Sequence, residues 1–258
     1  MIDNGILAIV GGLFGALIGS FLNVCIVRWP AEQSVVKPRS RCPKCGYQIT
    51  WADNIPMVSW LLLGGKCRSC KEPISALYPV VELSNALIWA AMAWTHGLTL
   101  TALSGALFCT ILLGIAMTDA REYLIPDEFT LGGLVIGLLF AAAGGTGTLV
   151  TAVIGAAVGF GVLWLVGVVG TWAFKEEAMG GGDIKMMAMV GAFLGWKGVL
   201  LTIFLGALAG TLIFLPMTLS GKKKLVPFGV FLAMGAVLTY VVGPAILTWY
   251  SGFIGGTG

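Results

Sequence analysis

Apolar residues run through this chain in long windows, roughly over positions 5–27, 74–95, 99–118, 129–144, 147–172, 186–196, 198–219 and 227–250. A helix of about 20 apolar residues crosses the ~30 Å hydrocarbon core of a bilayer. The pattern therefore predicts an all-α polytopic membrane protein with about eight transmembrane helices. The windows at 129–144 and 186–196 are short, and 186–196 is the weakest of the set. Fusing positions 186–219 into one span would give an implausibly long segment. The first window lacks the basic start and small-residue cleavage site of a removable signal peptide, so residues 1–27 are read as a retained first helix.

Composition agrees with this pattern. The chain is 58% hydrophobic and 10% charged, where a soluble domain has about 45–50% and about 25%. With eight spans and both termini outside, 14 of the 15 basic residues, Lys222 to Lys224 among them, fall on the cytoplasmic side and only Lys197 faces outward. The positive-inside rule produces this asymmetry, and merging two spans would spoil it. The bilayer is the expected surrounding, and no nucleic-acid partner is expected. Small-residue runs such as Gly155-Ala156-Ala157 and Gly206-Ala207-Leu208-Ala209-Gly210 suit close helix packing in lipid.

One polar insertion interrupts the pattern. Residues 28–73 hold 8 of the 15 basic residues and four of the six cysteines, and they separate the first helix from a bundle at 74–258. Within the insertion, Cys42-Pro43-Lys44-Cys45 and Cys67-Arg68-Ser69-Cys70 form two CxxC pairs with 21 residues between them, close to the spacing of a zinc ribbon. Four thiolates at this spacing suit a structural Zn²⁺ site that would order a loop too small for its own core. Disulfides or reduced thiols are the other readings, and cytoplasmic placement argues against stable disulfides. Cys25 and Cys109 lie in apolar windows and read as core thiols.

Acids are scarce, 12 in the chain, which makes their placement informative. A carboxylate in or beside hydrocarbon costs at least ~2.5 kcal/mol and persists with a partner or a task. Asp119 ends one apolar window, at the negative end of a helix dipole where an anion is disfavoured. Asp183 follows Gly180-Gly181-Gly182 at the start of another, where it would equally serve as a cap. Together they are the candidate catalytic pair. Two carboxyl groups within hydrogen-bond distance share one proton and can activate water against a carbonyl, the chemistry of an aspartyl protease. Lys185 would bias the charge of that pair, meet an acidic substrate group, or anchor a helix end at the headgroups. Asp127 and Glu128, after Pro126, read as helix caps. Glu82, an acid within a span, reads as a partner for a basic residue of the insertion or as a group at the substrate. Asn23 and Arg28 are placed to hydrogen-bond the insertion.

At these residues the chain resembles the type IV prepilin peptidases. The resemblance rests on Asp119 with Ile125-Pro126-Asp127, and on Gly180-x-Gly182-Asp183-x-Lys185. It rests also on Gly19-Ser20-Phe21-Leu22-Asn23-Val24 with Arg28-x-Pro30, the paired CxxC motifs, and Tyr78-Pro79-x-x-Glu82. It implies a bacterial inner-membrane enzyme, its active site facing the cytoplasm, that removes the basic leader of type IV prepilins or type II secretion pseudopilins. Asp119 and Asp183 would be its catalytic pair. It implies further that the new N-terminus is methylated from S-adenosylmethionine. No glycine-rich nucleotide fingerprint is present to assign that cofactor's pocket. Two other classes fit parts of the pattern: a transporter with acids on a proton path, and a non-catalytic zinc-ribbon scaffold. The first is weakened because both aspartates fall on one face of the membrane instead of along a path.

Overall fold

The computed structural model describes residues 3–219 and 227–255; Lys222 to Lys224 and the last glycines of the tail lie outside the described residues. Helices form as the apolar windows require: α1 (Asn4–Arg28), α2 (Val58–Leu62), α3 (Leu77–His96), α4 (Leu100–Glu122), α5 (Asp127–Ala143), α6 (Thr146–Phe174), α7 (Gly181–Leu219) and α8 (Phe228–Gly255), with one 3-10 turn at Ala52–Asn54. Among the described residues the only β pairing is two isolated bridges, Arg41 with Gln48 and Lys66 with Pro73. Among the described residues five helices, α1, α4, α6, α7 and α8, are long and apolar enough to cross a membrane.

That number is smaller than the eight expected spans, for physical reasons. Helix α5 has only 17 residues, and α3 carries Tyr78, Glu82, Asn85 and His96 in its 20. The sixth and seventh windows are joined in α7, 39 residues long. A straight helix of that length would measure about 58 Å at 1.5 Å per residue, nearly twice the hydrocarbon thickness. It is not straight: Gly195 has φ 67° and ψ 176°, so α7 consists of two arms meeting at a break. The break falls at the junction of the two windows, and glycine is the residue that adopts positive φ without a Cβ clash.

The chain divides into two compact units, Met1–Gly114 and Ile115–Gly258, and α4 contributes to both. In the first unit α1 lies along α3 on a stripe of glycines four residues apart. A Cβ at Gly11 would stand 2.8 Å from that of Ala93, one at Gly15 2.6 Å from that of Trp89, and one at Gly19 2.9 Å from the Glu82 Cα. Fully buried Asn85 donates from Nδ2 to the Gly15 carbonyl at 2.7 Å. The Thr110 hydroxyl in turn donates to Asn85 Oδ1 at 2.6 Å and accepts from the Trp89 indole at 3.0 Å. Three helices are thus linked by polar groups that would cost several kcal/mol each if left unpaired in hydrocarbon.

The second unit relies on closer approaches still. A Cβ on Gly155 of α6 would collide with the Gly191 carbonyl of α7, one on Gly159 with the Met187 carbonyl, and one on Gly191 with the Gly155 carbonyl. Helices α7 and α8 meet similarly, where a Cβ on Gly235 would stand 2.7 Å from the Thr202 carbonyl oxygen. The glycine runs expected to pack closely do so at Gly155 and Gly206. Replacing Gly155 or Gly191 by Ala is expected to destabilise the protein by about 1–3 kcal/mol, the usual cost of overpacking. Gly161→Ala, whose Cβ meets nothing within 4 Å, is expected to be neutral; thermal unfolding of the three variants in detergent checks the contrast.

Candidate active site and metal centre

The second unit brings both expected aspartates together. Asp119 sits in the last turn of α4 and is 6% exposed. Asp183 sits in the first turn of α7, within electrostatic reach of the Asp119 carboxyl group. The two differ in their partners. Asp119 Oδ2 accepts the Val230 amide N–H at 3.0 Å. That amide belongs to the first turn of α8, whose free N–H groups and positive dipole end attract an anion. This interaction accounts for an acid at the unfavourable end of α4. Asp183 Oδ1 is buried and has no hydrogen-bond partner among the described residues, so that oxygen does not cap its helix.

Absent side chains shape the space around the pair. A Cβ on Gly229 would stand 2.9 Å from Asp119 Oδ2 and 2.7 Å from Ile125 Cδ1, and one on Gly182 2.9 Å from Ile125 Cβ. Ile125 is therefore wedged against the first turns of both α7 and α8. Gly180 is crowded in the same way, with Asp183 Oδ2 3.0 Å from where its Cβ would be. The glycines of this motif make room for a side chain and a carboxylate.

Lys185, expected near the pair, a substrate acid or the headgroups, has an acidic partner within the protein. Its ammonium donates to both carboxylate oxygens of Asp127, at 2.7 and 2.8 Å. The cap reading of Asp127 changes as well. Pro126 occupies the N-cap position with no side-chain cap bond, while Asp127 and Glu128 keep only their favourable place in the first turn.

In the first unit Glu82 is 8% exposed and accepts the Met57 amide at 2.7 Å. It holds the insertion through a backbone group instead of the basic side chain expected. Met57 has φ 59°, a strained value for a residue with a side chain. Arg28 does bond the insertion, donating to the carbonyls of Ser34 and Pro38 at 2.8 Å each. Asn23 does not: it donates to the Tyr78 carbonyl in the first turn of α3, at 3.0 Å.

The four insertion cysteines converge, all four Sγ atoms lying within 4.8 Å of one another. Each pair occupies a knuckle closed in the same way: the Cys42 amide donates to Tyr47 and the Cys67 amide to Glu72, both at 2.8 Å. The tight corners fall on Gly46 at φ 74° and, less comfortably, on Lys71 at φ 62°. Asp53 joins the knuckles, receiving the Tyr47 hydroxyl at 3.3 Å and the Arg68 guanidinium at 2.6 Å. Arg68 holds this carboxyl below its ordinary range. Sulfur separations of 3.8 Å (Cys42 to Cys70) and 3.9 Å (Cys45 to Cys67) exclude disulfides. A tetrahedral ion with metal–sulfur bonds of ~2.3 Å would place its ligands about 3.8 Å apart, so the geometry fits a metal. The Cys45 and Lys44 amides lower Cys42 to about 7. At Cys70 the Glu72 amide is outweighed by burial and the neighbouring thiols, which push it up to about 12. A bound cation would let all four become thiolates.

Sequence reasoning missed the Val230 amide, Gly229 and Asn85. The first two carried a faint signal, a Pro-x-Gly at the start of the last apolar window; Asn85 carried its own, an amide inside a span.

Comparison with known proteins follows the same division. A family model described as the bacterial peptidase A24 N-terminal domain matches residues 13–96. One described as the type IV leader peptidase family matches residues 106–215. The chain is 38% identical to a prepilin leader peptidase/N-methyltransferase of Aeromonas hydrophila, over 92% of this chain and 91% of the relative. It is 37% identical to one of Pseudomonas aeruginosa over 94% and 93%, and 37% to one of Pectobacterium carotovorum over 90% and 91%. No solved structure matches the chain. The chain belongs to the type IV leader peptidase family, membrane enzymes that process proteins by cutting off a leader.

The cysteine geometry yields a measurable expectation. Protein purified without chelator should carry about one metal ion per chain by elemental analysis, and replacing Cys42 and Cys70 together by Ser should reduce this to near zero.

Proposed function

We propose that the chain cuts the leader from type IV prepilins or type II secretion pseudopilins and then methylates the new N-terminus, with Asp119 and Asp183 as the catalytic pair. The observation that carries the peptidase half is the juxtaposition of these two carboxyl groups, one held by the Val230 amide and the other with an unpartnered oxygen. The pair holds one proton. Its ionised member removes a proton from water as the water oxygen attacks the scissile carbonyl carbon. Its protonated member donates to the developing oxyanion. When the tetrahedral species collapses the C–N bond breaks, and the amine leaves with a proton relayed by the pair. No covalent enzyme intermediate forms.

The chain is read as crossing the bacterial inner membrane eight times, with the two arms of α7 on either side of Gly195 counted as separate crossings. That topology places the basic residues and the active site at the cytoplasmic face. The insertion at 28–73 is read as a zinc site: four cysteine thiolates in tetrahedral array favour Zn²⁺. S-adenosylmethionine, when bound, supplies an electrophilic methyl group. The chain's own task is to hold the substrate's terminal amine neutral and in line with it. The transporter and scaffold alternatives are not favoured, because a recruiting surface gives no reason to set two buried carboxyl groups within electrostatic reach of each other, and a proton path would spread them along its length.

Asp119→Asn or Asp183→Asn is expected to reduce leader cleavage at least about 100-fold, the scale of general acid–base catalysis, while methylation of a pre-cleaved pilin peptide persists. Intact-mass assays on cleaved and uncleaved substrate check both statements, and near-normal cleavage by either variant would remove the dyad. Val230→Pro deletes the amide that Asp119 accepts, together with its 3.3 Å bond to the Pro227 carbonyl, but no i→i−4 bond of α8. It is expected to lower kcat for cleavage about 10- to 100-fold, the equivalent of one hydrogen bond to a charged group. Val230→Ala, which keeps the amide, should cleave almost normally.

A further inference from the structure

The first unit has a cavity whose lining points to a ligand that the peptidase chemistry does not need. Its volume is about 390 Å³, and it lies between α1, at Leu17, Phe21 and Val24, and the segment from Val35 to Asn54. No acid lines it, and its charged side chains are Arg28 and Arg39. Arg28 donates to the Ser34 and Pro38 carbonyls, so its guanidinium braces the rim. Arg39 is exposed and has no hydrogen bond or ion pair among the described residues. Ser40 and Asn54 line the same cavity and bring a hydroxyl and an amide that can donate. These groups suit an anion with several acceptor oxygens.

The α1 wall of the cavity is a surface for lipid. Leu13, Leu17 and Phe21 are exposed at spacings of four along the helix. Each stands two residues beyond a member of the stripe at Gly11, Gly15 and Gly19 that packs on α3. At 3.6 residues per turn that is about 200° around the axis, the opposite side of the helix. Helix α1 is long and apolar enough to cross a membrane, so this side meets acyl chains, and it runs into the cavity at Leu17 and Phe21. Across the cavity the insertion presents Val36 and Trp51, 76% and 79% exposed. Such bare apolar side chains are out of place on a water-facing loop, whereas an indole belongs at the level where hydrocarbon meets headgroups. A cation without a partner, an apolar track and an interfacial tryptophan therefore meet at one place, on an insertion with 8 basic and 3 acidic residues over positions 28–73.

We propose that this cavity holds the headgroup of one anionic phospholipid, its phosphate on Arg39 and its acyl chains along the Leu13, Leu17 and Phe21 side of α1. Basic pockets beside membrane helices recognise acidic headgroups in this way. Charge selects the occupant: a headgroup ending in an ammonium would bring a cation against two guanidinium groups, with no acid in the lining to receive it. The bound lipid fastens the insertion to the bilayer at the end of α1, where Arg28 already braces the segment from Ser34 to Pro38. The proposal is independent of the leader-cutting and methyl-transfer readings and requires only that α1 cross the bilayer.

The test uses the full-length protein in a neutral detergent, titrated with phosphatidylglycerol, with binding of the first lipid read by native mass spectrometry. Phosphatidylcholine and inorganic phosphate are the comparison probes. Wild-type protein should take up phosphatidylglycerol in preference to phosphatidylcholine, and excess inorganic phosphate should not displace it. Arg39→Ala should weaken the first binding at least about tenfold, the scale of a hydrogen-bonded charge, and Arg39→Lys should recover most of the loss, because a phosphate accepts from either cation. Arg39→Gln keeps a long polar side chain without the charge and decides the outcome if the alanine variant does not fold. Lys66→Ala removes the same charge from an exposed position of the insertion outside the cavity and should change binding about twofold at most. Equal losses in the Arg39 and Lys66 variants would show diffuse attraction to the insertion, and displacement by inorganic phosphate would show a site for free anions; either result overturns the proposal. A wild type that binds both lipids alike overturns it too.

Discussion

Contact between helix backbones is the constraint on which the rest of this molecule depends. Lipid tails are as apolar as leucine, so burial gives membrane helices little reason to associate, and cohesion must come from van der Waals contact and internal hydrogen bonds. Gly155 and Gly191 bring α6 and α7 so close that neither position has room for a methyl group. Gly206 and Gly235 do the same for α7 and α8. Gly191 holds the arm of α7 that carries Asp183 against α6, and Gly206, beyond the break at Gly195, holds the other arm against α8, whose first turn receives Asp119. Catalytic geometry at one end of the unit is thus inherited from glycines deep inside it.

The acids acquire different characters from that arrangement. Asp119 would be badly placed if α4 stood alone, facing the carbonyl ends of its own helix. The α8 amides reverse the sign of its surroundings, and a close partner fixes its orientation. Asp183 has a dipole of the favourable sign but an oxygen with no donor. A pair that is to share a proton and then act on water gains from this inequality, since one member is held still while the other has acceptor capacity to spare.

Local signals were readable in the sequence and long-range ones were not. Apolar length fixed the helices to within a few residues, and the CxxC spacing announced the cysteine cluster, because both depend on neighbours along the chain. The break at Gly195 showed only as the boundary between two windows, since a glycine in an apolar run does not reveal its φ. The pairing of Lys185 with Asp127 could not be read, because any of several acids was within plausible reach and the choice depends on how α5 and α7 pack. The same is true of Val230, whose contribution is a backbone amide that every residue but proline possesses. Glu82 stands out by its rarity, but its partner is not legible, because a buried carboxylate is satisfied as well by an amide as by a cation.

Half-exposed Lys185 and more exposed Asp127 also bear on how a substrate arrives. Lys185 is two residues from Asp183, and an unpaired ammonium there would repel a cationic segment approaching the aspartates. Matched to Asp127 it contributes a dipole instead of a charge, and its far field decays much faster with distance. A basic leader can then be drawn by the aspartates without first passing a like charge, and the lysine still clamps two helices together.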